Sequence, residues 1–188
     1  MGAVLTVGLG LFFLFTRVGQ EYSNLSYDVP FAFRPDIAVR GVVIVYLDEE
    51  SYRELGQHYK QWDRALHAHL LEQLKAEGAK LVVFDIFFPE ANTNNPTSDA
   101  QFAEALRAHG RAVLGAEHEE YAQAGTPMKR TIPPAKPFGE AAAGWGIARV
   151  HKGADFGVRR HYQGAKPYAS LPWKAAEIAG AAVGGEAT

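Results

Sequence analysis

The chain contains no cysteine, which excludes disulfides, thiolate zinc sites and cysteine nucleophiles. It also lacks an excess of either charge, with 19 Lys and Arg against 21 Asp and Glu. A nucleic-acid binder shows a basic stripe. Here the basic residues are scattered, the densest pairs being Lys129-Arg130 and Arg159-Arg160, so no nucleic-acid partner is expected. Glycine-rich phosphate loops are missing too. Gly139, Gly144 and Gly146 lie in an Ala/Gly stretch without a strand before and a helix after, and Gly8 and Gly10 lie inside an apolar run. There is no G-x-S-x-G elbow and no H-E-x-x-H pair. His67 and His69 stand two apart on an expected helix, face different sides and cannot share a metal, so solvated histidines are expected. No catalytic residue, metal-ligand set or cofactor follows from these patterns, and the chain itself is not expected to be an enzyme.

What is present begins with Gly2 to Thr16, a run without a charged side chain that Arg17 closes. A helix from Met1 to Thr16 would span roughly 24 Å, short of the ~30 Å hydrocarbon core. A signal-peptide core, a short membrane helix, the end of a longer helix and a buried soluble element all remain open. The start lacks the basic residues and small-residue cleavage site of a cleavable signal. The expectation is therefore a membrane anchor over residues 1–17, a short transmembrane helix or the truncated end of a longer one, with the main domain over 18–188.

Beyond a connector with Pro30 and Pro35, Val42 to Leu47 is a continuous β-branched run ending at Asp48, the composition of a strand buried on both faces. Leu66, Leu70, Leu71 and Leu74 recur at helical spacing, with Asp63 as N-cap and Gly78 at the stop. A strand is expected over Lys80–Phe88, a polar loop over Pro89–Thr97, a helix opened by a capping box at Ser98–Gln101, and a strand over Ala112–Ala116. Strand, helix, strand, helix, strand implies a mainly parallel sheet. Residues 119–137 read as a loop. Ile147–His151 and Val158–Tyr162 read as a C-terminal antiparallel hairpin, followed by a helix over Ser170–Gly180 with Pro172 in its first turn. The small-residue tail to Thr188 reads as an incomplete end. The expected architecture is thus α/β, three-layer-like, preceded by a transmembrane helix.

Ordered phrases along the chain resemble a known family. They are Ser26-Tyr27-Asp28, Val42 through Asp48-Glu49-Glu50-Ser51, Leu55-Gly56, Trp62-Asp63-Arg64 with His67-Ala68, and Leu70-Leu71 with Leu74 and Gly78-Ala79. Further along come Val83-Phe84-Asp85-Ile86-Phe87-Phe88, Asp99 with Leu106, Asp155 with Val158-Arg159-Arg160, and Ser170-Leu171 with Ala175-Ala176. Over residues 26–180 the chain resembles the second CHASE family, sensory domains held outside the cytoplasm and attached to bacterial cyclases and histidine kinases. The family's Trp-Pro-Trp-Pro-Arg type phrase is replaced by Tyr59-Lys60-Gln61-Trp62-Asp63-Arg64, so the entry to the first helix differs. The resemblance implies an extracytoplasmic, periplasmic or extracellular input domain. It would bind a small molecule or another outside signal and act through the membrane on an adenylate or guanylate cyclase, a histidine kinase or a Ser/Thr kinase. A homodimer is compatible with it.

Topology supplies the candidate ligand site. Crevices in open α/β sheets form at the C-terminal ends of parallel strands, which selects Asp48, Glu49, Trp62, Arg64, Asp85 and Glu90. Glu117 and His118 lie near the third strand end. Acids at those ends raise one alternative, an anchored or secreted metal-dependent hydrolase; the plainer reading of Asp48 and Asp85 is loop capping. Trp62 packs on its helix start or lines a pocket.

Overall fold

The computed structural model describes residues 2–35, 41–57, 62–123 and 125–182, in two units, residues 1–46 and 47–188. In the first unit, α1 (Gly2–Phe15) is uncharged and apolar but for Thr6, and α2 (Arg17–Ala32) is more polar, with Pro30 inside it. Fourteen residues reach about 21 Å. No helix among the described residues is long and apolar enough to cross a bilayer alone; α1 and α2 pass that test together but are bent by 76°. Within the residues expected as an anchor, 1–17, the first helix ends at Phe15 and Thr16 caps a second, its hydroxyl accepting from the Gly19 amide at 3.3 Å. Gly19 is what permits the corner. A Cβ there would stand 1.7 Å from the Phe13 carbonyl oxygen.

The expected first strand does not form. Val42–Leu47 carries no ladder among the described residues, and Val42, Val43, Ile44, Val45 and Tyr46 are each more than half exposed. Its β-branched composition suits a strand, but composition supplies no paired edge, and a strand exists only with one.

In the second unit, Asp48 caps α3 (Glu49–Glu54) and Asp63 caps α4 (Arg64–Ala76), as its residue type predicts. Strand β1 (Val82–Phe87) is followed by α5 (Pro96–His109). The expected capping box at Ser98 is displaced: Asn95 is the cap, its Oδ1 accepting from the Ser98 amide, with Pro96 in the first turn where its missing N–H costs nothing. Strand β2 (Ala112–Gln123) pairs parallel with β1 through Val82↔Ala112 to Phe84↔Leu114. It runs on through the expected loop and turns back as β3 (Thr126–Ile132), antiparallel from Glu117↔Ile132 to Gln123↔Thr126. A short α6 (Lys136–Gly139) leads into β4 (Gly144–Ile147), parallel to β2 on its other edge. The substantial antiparallel hairpin is thus β2–β3 in mid-chain. The hairpin expected at 147–162 reduces to one bridge, His151↔Arg160. Two-residue strands β5 (Gly164–Ala165) and β6 (Tyr168–Ala169) precede α7 (Leu171–Ala179), capped by Ser170.

The sheet is covered on both faces, as its parallel strands require. Leu71 of α4 and Phe102 and Leu106 of α5 bury one side with Phe84, Phe88, Leu114 and Phe138. Leu171 and Ala175 of α7 cover Val113 on the other. Gly146 lets β4 approach α7: a Cβ would lie 2.6 Å from the Ser170 carbonyl oxygen.

Replacing Gly19 by Ala should drive α2 off the α1 backbone. With spin labels on Leu9→Cys and Tyr27→Cys in this cysteine-free chain, Gly19→Ala should lengthen the label separation toward the about 27 Å of an unbroken helix. An unchanged distance would show that the corner does not depend on Gly19.

Candidate functional site

Three segment starts converge beyond the C-terminal end of β1. Phe88 leaves the strand fully buried, α4 begins at Arg64, and α5 brings Asp99 in its first turn. The Arg64 guanidinium lies 4.8 Å from the Phe88 ring centroid and 6.0 Å from that of Phe138. A planar cation with weak hydration suits such stacking. Its counter-charge is Asp99, 5% exposed, with Nε to Oδ1 at 3.9 Å. The other carboxylate oxygen of Asp99 accepts from the Asn92 amide at 2.5 Å, which ties the loop after β1 to α5. Burial pulls the Arg64 pKa below its ordinary value, and Asp99 and Asp63 oppose that pull. Asp63 itself is held below the usual carboxylate range by the Ala65 amide, then by the Ser98 hydroxyl.

His67 sits one turn further along α4, 3% exposed. Its ring is ringed by aromatics, with centroids at 5.4 Å to Phe88, 5.7 Å to Phe102, 6.2 Å to Phe84 and 6.3 Å to Trp62. Burial, reinforced by the Arg64 charge, pushes its pKa down to about 4, so the imidazole is neutral at physiological pH. The expectation of solvated histidines holds for His69 and fails for His67. Trp62 is half-buried, packed on Tyr52 at 4.7 Å.

The polar atoms of this cluster are not mutually satisfied. Trp62 Nε1, Arg64 Nε and Asp99 Oδ1 are buried without a hydrogen-bond partner among the described residues. Arg64 Nε and Asp99 Oδ1 face each other as the 3.9 Å ion pair, beyond hydrogen-bond reach, and Trp62 Nε1 is a buried donor without an acceptor, in a setting where buried polar groups are almost always paired.

Of the residues selected by topology, Trp62 and Arg64 belong to this cluster. Asp48 does not end a strand; it caps α3, its Oδ1 accepting from the Ser51 amide at 2.9 Å and hydroxyl at 2.7 Å, which lowers its pKa. Glu49 is exposed in the first turn of α3. Asp85 projects from β1 on the face opposite Phe84, exposed, and Glu90 is exposed in the loop. No hydrogen bond or ion pair among the described residues joins these four to the cluster. His118 Nδ1 lies 2.9 Å from Thr131 Oγ1 within the β2–β3 hairpin. No group of three or more His, Asp or Glu among the described residues could hold a metal ion, so the acids at the strand ends are not assembled as the hydrolase alternative needs.

The family model described as CHASE2 domain matches residues 3–186. The chain belongs to the CHASE2 domain family. Its members are extracellular sensory domains of the CHASE type. No curated protein and no solved structure matches the chain. Within this CHASE2 domain, two members of the buried cluster, His67 and Asp99, escape selection by strand ends. His67 shares the α4 face of Leu71 at four-residue spacing, a signal readable in the sequence, whereas Asp99 is disguised by its position in an apparent cap.

Two outcomes follow. Asp99→Asn leaves the shape and removes the counter-charge of Arg64, so the urea midpoint should fall by the equivalent of about 1–3 kcal/mol. For His67, the folded pKa of about 4 lies below the ordinary 6.5, so the unfolded chain binds more protons between those values. The stability that neutral His67 contributes is complete above about pH 6.5 and is lost as the pH falls toward 4, by about 3 kcal/mol in all. His67→Phe should flatten that part of the stability profile; an unaltered slope would remove His67 as its source.

Proposed function

We propose that this CHASE2 domain is the extracytoplasmic input domain of a bacterial transmembrane receptor, controlling a cytoplasmic adenylate or guanylate cyclase, a histidine kinase or a Ser/Thr kinase. The observation that carries this reading is the family match over residues 3–186. The apolar α1, together with α2, supplies length and composition for a bent membrane anchor. The signal enters at Trp62, Arg64 and Asp99. Trp62 Nε1 without an acceptor, and Arg64 Nε and Asp99 Oδ1 that meet only as a 3.9 Å ion pair, complement a small polar molecule that carries both an acceptor and a donor. A ligand shifts a receptor only by binding its two states unequally. Here the difference would arise at the 89–95 loop, whose Asn92 amide is held by the same carboxylate.

Thermal unfolding of the full chain in detergent, screened against small polar metabolites, tests this assignment. A ligand at a hundred times its Kd stabilises by about 2.7 kcal/mol, enough to raise Tm by several degrees. The shift should vanish in Arg64→Met and Asp99→Asn, each measured against its own unliganded baseline. A ligand that raises Tm equally in both variants binds elsewhere, and the site assignment fails.

A further inference from the structure

The chain is net acidic at -2, yet between residues 141 and 176 Arg149, Lys152, Arg159, Arg160, Lys166 and Lys174 stand against one acid, Asp155; Arg149 and Lys174 pair outside that stretch, with Glu120 and Glu177. That acid is consumed locally. Arg159 clamps it with both nitrogens, at 2.9 and 2.7 Å, and the Gly157 amide donates to the same carboxylate. The clamp closes a turn in which the Gly153 amide donates to the Gly157 carbonyl at 2.8 Å and the Phe156 amide to the Gly153 carbonyl at 3.0 Å. His151↔Arg160 bridges its base.

At the tip stands Phe156, with φ of 62° and 80% exposure. A bulky residue in the left-handed region is strained, and glycine would fill the position without that cost. The turn therefore holds an aromatic ring in water, in a conformation its side chain disfavours. Val158 and Val150 beside it are 56% and 53% exposed. Lys152 and Arg160 are exposed and have no carboxylate partner among the described residues.

We propose that this loop docks on an anionic lipid bilayer, with Phe156 and Val158 entering the boundary between headgroups and acyl chains and Lys152 and Arg160 lying on lipid phosphates. Apolar side chains flanked by lysine and arginine are the composition of interfacial membrane contacts. A single projecting ring suits a fluid bilayer, which accepts a wedge without a preformed pocket. The inference rests on the receptor reading in so far as that reading places the domain at a membrane.

The test uses the full cysteine-free chain reconstituted with phosphatidylcholine vesicles, with and without phosphatidylglycerol. An environment-sensitive fluorophore is attached to Phe156→Cys and, in a separate sample, to Leu9→Cys in α1. The label at 156 should shift to the blue only when phosphatidylglycerol is present. Adding Lys152→Gln and Arg160→Gln should lower the ratio of lipid-buried to water-exposed label at least about tenfold. A label at 156 that stays in water, or reports equal burial on both lipids, overturns the proposal, as does indifference to removal of the two charges. If the label at Leu9 reports lipid while that at 156 reports water, this proposal alone fails. If the label at Leu9 also reports water, the anchored-receptor reading fails with it.

Discussion

Arg64 carries a charge into a place made of phenylalanine, and the second unit is arranged around that fact. A buried cation must be stacked, paired or neutralised, and here the first two are met from different parts of the chain. Phe88 directly follows β1, Phe138 belongs to α6, and Asp99 comes from the first turn of α5. Fixing one guanidinium therefore fixes where α4 and α5 begin relative to β1. The carboxylate that pairs it also holds the Asn92 amide, so the loop beyond β1 is set by the same charge. His67 can then be neutral and enclosed, its ring nearly perpendicular to those of Phe84 and Phe88 at 88° and 80°, the geometry aromatic quadrupoles favour.

The sheet shows how one strand serves two environments. The first five residues of β2, Ala112 to Ala116, are buried, small or aliphatic, and lie between parallel partners β1 and β4. From Glu117 the side chains become charged and the exposure rises, and the pairing changes to an antiparallel ribbon with β3. Cross-strand ion pairs decorate that ribbon, Glu119 with Arg130 and Glu120 with Lys129, and Arg149 from beyond β4 joins Glu120. Such exposed pairs contribute little stability each; their effect is to keep an otherwise bare edge soluble and in register.

Helix α4, β1, α5 and α7 were legible because each announces itself locally, by leucine spacing, by a capping residue, or by an apolar run between polar loops. The failures have a common cause: they concern partners, which a linear pattern does not name. Val42–Leu47 has strand composition, yet no edge among the described residues pairs with it. Residues 119–132 have polar, proline-punctuated composition, yet each half supplies the other with a ladder. The anchor reads as one helix because the apolar run is continuous to Thr16; the corner comes from Thr16 and Gly19, where a hydroxyl caps and a missing Cβ lets two backbones meet. Of the residues the strand-end rule selects, Trp62 and Arg64 lie beside His67 and Asp99, whereas Asp48 caps α3 and Glu49, Asp85 and Glu90 are exposed. Asp99 was hidden because its importance lies in a charge thirty-five residues upstream.

On the receptor reading, the energetic demand on the site can be compared with what it offers. Moving a two-state equilibrium from nearly all off to nearly all on requires about 5.5 kcal/mol of differential binding. Each buried polar atom left without a partner costs about 1–3 kcal/mol, a cost that disappears when a ligand completes the bond. Trp62 Nε1 is one such atom, and Arg64 Nε and Asp99 Oδ1 meet only at 3.9 Å, so the cluster supplies part of that range, to the extent that the second state lacks it, and the ligand's other contacts supply the rest. A fully satisfied cluster would make a more stable domain and a poorer sensor, because a ligand would then find nothing to complete. The incompleteness of the site is in that sense its capacity to respond.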